Sequence, residues 1–177
     1  DENVDAREFL LWRGMTAGAQ ADGSWRNLKG DKGEIVAKGM LQRRLIESDL
    51  LQVETSVNEN SRFLTLTLTD GRIIIFGDEP DIAIYKDSQP LAAIEIKGGI
   101  DNAGVLERIG AALKSLGRTK GENPNSITIL IMQAVSVSQQ AVADLTANQD
   151  TVNYWFTMEE LLDEEAKRET FFKLLDV

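Results

Sequence analysis

Residues 77–99 read GDEPDIAIYKDSQPLAAIEIKGG, two short runs of strand character that bring three charged side chains toward one place. Ile82 to Tyr85 and Leu91 to Ile96 are the runs, apolar enough to be central strands. Asp81 stands at the mouth of the first, with Glu95 and Lys97 toward the end of the second. Residues i and i+2 of a strand face the same side, so Glu95 and Lys97 project together while Ile94 and Ile96 turn the opposite way into packing. Two carboxylates and one ammonium then converge at the end of a sheet. Carboxylate oxygens are the ligands a hard divalent cation such as Mg²⁺ prefers. A lysine beside that cation can orient or deprotonate a water and offset charge building on a phosphate. The chemistry this suits is metal-dependent hydrolysis of a phosphodiester.

Upstream, Gly33 to about Ser48 reads as a helix, with Ala37, Leu41 and Leu45 at four-residue steps along one face and Glu34 and Lys38 one turn apart near its start. Phe63 to Leu68 alternates strictly, and Asp70-Gly71 ahead of Arg72 to Phe76 is a hairpin signature. Downstream, Asp101 is the expected N-cap of a helix to about Leu116, with Leu106, Ile109, Leu113 and Leu116 as its apolar stripe. Ile127 to Val135 reads as a buried strand and Val152 to Phe156 as a short one. Ser136-x-x-Gln139 and Thr157-x-x-Glu160 resemble capping boxes, opening helices through Leu145 and over Leu161 to Leu175. This order predicts an α/β protein of three layers, a mixed central sheet flanked by helices, with a right-handed parallel crossover from Glu95 to Ile127.

The 177 residues suit a single domain, 1–177, with residues 1–30 as a loop-rich N-terminal arm around Gly14, Gly18 and Gly23. There is no cysteine and no histidine, which excludes disulfide frameworks, zinc-thiolate sites, Ser-His-Asp and Cys-His catalysis, HNH-type nucleases and histidine-ligated metals. What remains is carboxylate and lysine chemistry. The longest apolar run, Ile127 to Met132, is too short to cross a bilayer, and no charged-then-apolar leader opens the chain, so no membrane partner is expected. The first residue is Asp rather than Met, as in a processed product or a piece of something longer.

A net charge of −10 argues at first against nucleic acid, yet the bases are clustered. Arg13, Arg26, Lys29, Lys32, Lys38, Arg43 and Arg44 lie early, and Lys114, Arg118 and Lys120 follow the central stretch. Glu159, Glu160, Asp163, Glu164 and Glu165 gather near the end. A basic cleft with an acidic back is the expectation, and scattered solvated charge is the competing one. Arg13, Arg26 and Asn27 are of the types that read base edges or hold phosphates, while Trp12 and Trp25 beside them suit packing. Lys29, Lys38, Lys114 and Arg118 complete the candidate DNA contacts.

Pro80-Asp81 followed fourteen residues later by Glu95-Ile96-Lys97 resembles the PD-(D/E)XK nuclease superfamily. The resemblance implies a restriction-endonuclease-like core in which Asp81, Glu95 and the Ile96 carbonyl hold Mg²⁺ and Lys97 positions the attacking water. Glu34 looks like the first-helix glutamate that lies beside the metal-binding acids in many relatives, suited to a second cation or a water the metal holds. As an ordinary acid at the positive end of a helix dipole it needs no such role. The run Ala93 to Ala111, AIEIKGGIDNAGVLERIGA, looks like type II restriction endonucleases, and most like the XcyI group. Type II kinship implies a homodimer in the bacterial or archaeal cytoplasm that cuts double-stranded DNA at a short palindrome with Mg²⁺ and no nucleotide cofactor. Two alternatives stay open on sequence: a repair or recombination nuclease of the same fold, such as a Holliday-junction resolvase, and a non-catalytic DNA-binding module.

Overall fold

The computed structural model describes residues 31–56, 64–98 and 104–177, and the Phe63 start of the alternating run falls outside them. They form helix α1 (Asp31–Glu47), strands β1 (Leu51–Ser56), β2 (Leu64–Leu68), β3 (Ile73–Phe76), β4 (Ile82–Lys86) and β5 (Gln89–Lys97), helix α2 (Val105–Glu122), strand β6 (Ile127–Met132), helix α3 (Gln139–Ala147), strand β7 (Tyr154–Thr157) and helices α4 (Met158–Asp163) and α5 (Glu165–Leu174). The strands make one mixed sheet in sequence order, β1 to β7. Neighbours from β1 to β5 are antiparallel, whereas β5, β6 and β7 run parallel.

The change of sense follows from the connections. Asp70-Gly71, with Gly71 at φ 84°, and Asp87-Ser88, with φ 50° and 64°, are tight turns that can join only antiparallel strands. Parallel strands need a crossover, and α2 and α3 supply one each. Alternation along β5 then divides the core. Ala92, Ile94 and Ile96 pack with Val36, Ala37, Leu41 and Leu45 of α1 and with Leu161, Phe171 and Phe172 of α4 and α5. Ala93 faces the other layer, where Val105, Ile109, Ala112 and Leu116 of α2 meet Leu130, Met132 and the α3 residues Ala141 and Leu145. Each fully buried leucine or isoleucine of this kind contributes roughly 1.5–3 kcal/mol. The three layers are therefore α1/α4/α5, sheet, α2/α3, as the α/β expectation had it.

Several boundaries differ from the sequence reading. Strand β1 is an addition: among the described residues it is the edge strand, where polar residues such as the exposed Gln52 are tolerated, so its apolar pattern is weak. The α2 stripe is rotated: Val105, Ile109, Ala112, Ser115, Leu116 and Thr119 are buried while Leu106 is exposed, and the helix continues to Glu122. Asp101, expected as its N-cap, lies outside the described residues. Strand β6 stops at Met132, because the chain turns through a 3-10 segment (Ala134–Ser136) whose first amide donates to Glu159 at 2.9 Å. Ser138, rather than Ser136, caps α3 by accepting from the Ala141 amide. The Thr157/Glu160 capping box forms in full. The helix it opens breaks at Glu164, where Arg168 donates to the freed Leu161 and Leu162 carbonyls.

Candidate active site

Strand β4 meets β5 with Ile82 opposite Ile94, and there the ladder ends. The next β5 amide on that edge, Ile96 N–H, has lost its backbone partner and donates instead to Oδ2 of Asp81 at 2.6 Å. The N–H and C=O of one strand residue face the same neighbour, so the Ile96 carbonyl also looks toward the Asp81 edge. Pro80, the residue before Asp81, has no amide to extend the ladder.

Glu95 sits on the α2 side of β5, at only 1% exposure, and Asp81 at 2%. Both Glu95 oxygens are engaged: Oε1 pairs with Lys97 Nζ, and Oε2 accepts from Ser115 Oγ at 2.8 Å. Burial pushes the Asp81 carboxyl up to about 7, and the negative charges of Glu95 and Glu34 add to the effect, against the Ile96 hydrogen bond and the Lys97 charge. That mutual influence places Asp81, Glu95, Glu34 and Lys97 in one electrostatic neighbourhood at the strand ends. Glu34 arrives from the opposite layer, on the first turn of α1. Lys38 bonds it at 3.3 Å and the Gly77 carbonyl at 3.1 Å, tying α1 to the loop before Asp81. Lys97 opens into a shallow depression at the ends of β5 and β6, lined also by Gly33, Gly98, Met132 and Gln133.

The donor set is all oxygen: two buried carboxylates, one just ahead of β4 and one on β5, and a carbonyl on the same edge, a set that fits Mg²⁺ rather than a softer ion. Among the described residues no three His, Cys, Asp or Glu side chains gather as a ready-made cation cluster, so Glu34 does not join the pair as a third close ligand. Asp78 and Glu79, the competing acids, are exposed, and Glu79 is paired with Arg118 at 2.8 Å.

A family model described as XcyI restriction endonuclease matches residues 6–174. The chain belongs to the XcyI restriction endonuclease family. Membership makes it a nuclease in kind, a hydrolase whose substrate is DNA. A search of curated proteins gives no match. Among the described residues no helix is long and apolar enough to cross a membrane.

The DNA contacts expected of this XcyI-family chain are only partly in view. Arg13, Arg26, Asn27 and Lys29 lie outside the described residues. Of the others, Lys38 is engaged with Glu34 and Gly77, Arg118 with Glu79, and Lys114 is exposed on α2. Arg43 pairs with Glu47, and Arg44 with Glu169, so these two bases lean on acids of their own fold. The Arg118–Glu79 bridge is exposed on both sides, the kind worth at most about 1 kcal/mol, and leaves Arg118 free to exchange Glu79 for a phosphate. Sequence reasoning missed Ser115. Its signature was a hydroxyl amid Ile109, Ala112 and Leu116 on a buried helix face.

Proposed function

We propose that this chain is a Mg²⁺-dependent type II restriction endonuclease of PD-(D/E)XK type, cutting double-stranded DNA at a short palindrome as a homodimer in the cytoplasm. The observation that carries the reading is the pair of buried acids, Asp81 just ahead of β4 and Glu95 on the adjoining β5, with Lys97 two residues beyond Glu95. An isolated domain gains little by burying two carboxylates beside one ammonium, because charge burial costs several kcal/mol per ion unless fully compensated.

In the proposed mechanism Asp81, Glu95 and the Ile96 carbonyl hold Mg²⁺, which when bound supplies the positive charge that offsets charge building on the phosphate oxygens. Lys97 Nζ leaves Glu95 Oε1 to hydrogen-bond the attacking water and hold it in line with the scissile P–O bond. Asp81 gives up the proton that burial favours and serves as an anion. Glu34 assists from α1 by binding a second cation or a water, and Arg118 and Lys114 meet the phosphates that run along α2. Two copies related by a two-fold axis act on the two strands of a palindrome.

Digestion of phage DNA with Mg²⁺, run on a gel, tests the reading. Discrete bands support it. Cleavage of a four-way junction without banding of linear DNA favours a structure-specific nuclease, and binding without cleavage under any divalent cation favours a non-catalytic module. Asp78→Ala abolishing cleavage while Asp81→Ala spares it would move the metal to the exposed acid.

A further inference from the structure

We propose that Ser115 is a positioning residue for Glu95: its hydroxyl holds one carboxylate oxygen so that the other is free to turn to Mg²⁺ when Lys97 leaves. This rests on the metal assignment proposed above and adds to it a residue outside the Asp81, Glu95 and Lys97 set.

A hydroxyl inside a helix ordinarily donates to the carbonyl one turn back. Thr146 does so to Val142 at 2.7 Å, and Thr170 to Ala166 at 2.8 Å. Ser115 instead donates across the layer boundary to Glu95 Oε2 at 2.8 Å. Its place on α2 is 3% exposed, on the stripe that otherwise seals this face with Ile109, Ala112 and Leu116. Packing alone would favour an alanine there, since a buried hydroxyl costs about 1–3 kcal/mol unless it finds a partner. The partner it finds is the acid proposed to bind the cation.

The two oxygens of Glu95 are held in different ways. Oε1 is paired with Lys97, a long side chain still 24% exposed and able to move. Oε2 is held by a short side chain on an eighteen-residue helix that packs along β5. When Lys97 turns to the water, Oε1 is released while Oε2 stays fixed, so the carboxylate keeps its plane and presents one lone pair in a set direction. Hydrogen-bond partners that orient a metal's ligands in this way typically change metal affinity by about 10–100-fold when removed.

The test compares Ser115→Thr with Ser115→Val, which share a shape and differ in the hydroxyl, so that strain from the added methyl cancels. Ser115→Ala and Glu95→Ala accompany them. Mg²⁺ is titrated onto each DNA-free protein by calorimetry, with the Ile96 amide resonance as a second readout, and the Mg²⁺ dependence of cleavage is measured separately. The expected result is that Ser115→Thr stays within about threefold of the parent in Mg²⁺ affinity while Ser115→Val binds about 10-fold or more weakly. Cleavage by Ser115→Val at saturating Mg²⁺ recovers most of the parent kcat, so the loss appears in the half-saturating Mg²⁺ concentration. Equal affinity of the Thr and Val variants overturns the inference, as does a folded Ser115→Ala with parent affinity. Glu95→Ala separates the two levels. If it binds Mg²⁺ like the parent, the metal assignment itself is wrong; if it loses binding while the Ser115 variants keep it, only the role of Ser115 falls.

Discussion

Asp81→Asn should stabilise the metal-free protein at alkaline pH while destroying its activity, and the size of the gain follows from the site. The Asp81 carboxyl ordinarily titrates near 3.8 and is pushed up to about 7 by burial, with Glu95 and Glu34 adding their charges. The folded state therefore holds a proton that the unfolded chain has released over most of that range, and stability falls as the pH rises through it. The contribution is complete below pH 3.8 and is lost by about pH 7. At about 1.36 kcal/mol per pKa unit, the ceiling is roughly 1.5 kcal/mol lost at pH 5 and about 4 kcal/mol at pH 8. Asparagine keeps the shape and can still accept from Ile96 N–H, but it carries no charge to bury. Urea denaturation in EDTA, at pH 5 and pH 8, should find Asp81→Asn more stable than the parent by about 2–4 kcal/mol at pH 8 and by less at pH 5. Saturating Mg²⁺ should reverse the order, because the cation stabilises only the protein that can bind it. Parallel pH curves for the two proteins, or a variant no more stable than the parent at pH 8, would refute the claim that Asp81 is an acid held against its solvation.

Glu95→Ala and Lys97→Ala should each abolish Mg²⁺-dependent cleavage while keeping the circular dichroism of the parent; full cutting by either removes it from the mechanism. Arg72 is buried and donates to Asp70 Oδ2 at 2.6 Å and to the Leu175 and Asp176 carbonyls at 2.7 Å each, so it ties the β2–β3 hairpin to the end of the described chain. Arg72→Ala should cost about 3–5 kcal/mol in chemical denaturation, whereas a cost below 1 kcal/mol would mean that solvent replaces those bonds. Thr157→Ala removes the capping box of α4 and should lower stability by about 1 kcal/mol in urea denaturation, and an unchanged midpoint would show that solvent replaces the cap.

Much of the frame was legible because it rests on local rules. Ala37, Leu41 and Leu45 are buried as their four-residue spacing requires, Asp70-Gly71 makes its hairpin, and Thr157 caps with Glu160. Each depends on neighbours within a few residues, which a linear pattern displays. The rotated face of α2 shows the limit. Leu106, Ile109, Leu113 and Leu116 make as good a 3.6-residue stripe as Val105, Ile109, Ala112 and Leu116, and only the sheet below decides between them. It chose the stripe that brings small residues, Ala112 and Ser115, against β5.

The candidate site divides the same way. Glu95 and Lys97 were readable as a pair because alternation along one strand forces them to the same side, and the ion pair between them is that local rule made visible. Asp81 was readable only as an acid at a strand mouth. Its burial and its bond to Ile96 N–H depend on β4 ending where β5 continues, a mismatch of strand lengths that no short window of sequence contains. Ser115 is further removed still, since it needs both the facing of α2 and the layer assignment of Glu95. Of the groups in the proposed mechanism, Glu95 and Lys97 are thus written in strand periodicity, while the setting of Asp81 and the bond from Ser115 to Glu95 are written in tertiary packing. Substitutions at Ser115 should for that reason tune metal affinity by degrees where substitutions at Glu95 abolish it, a gradation that a purely structural role for Ser115 would not produce.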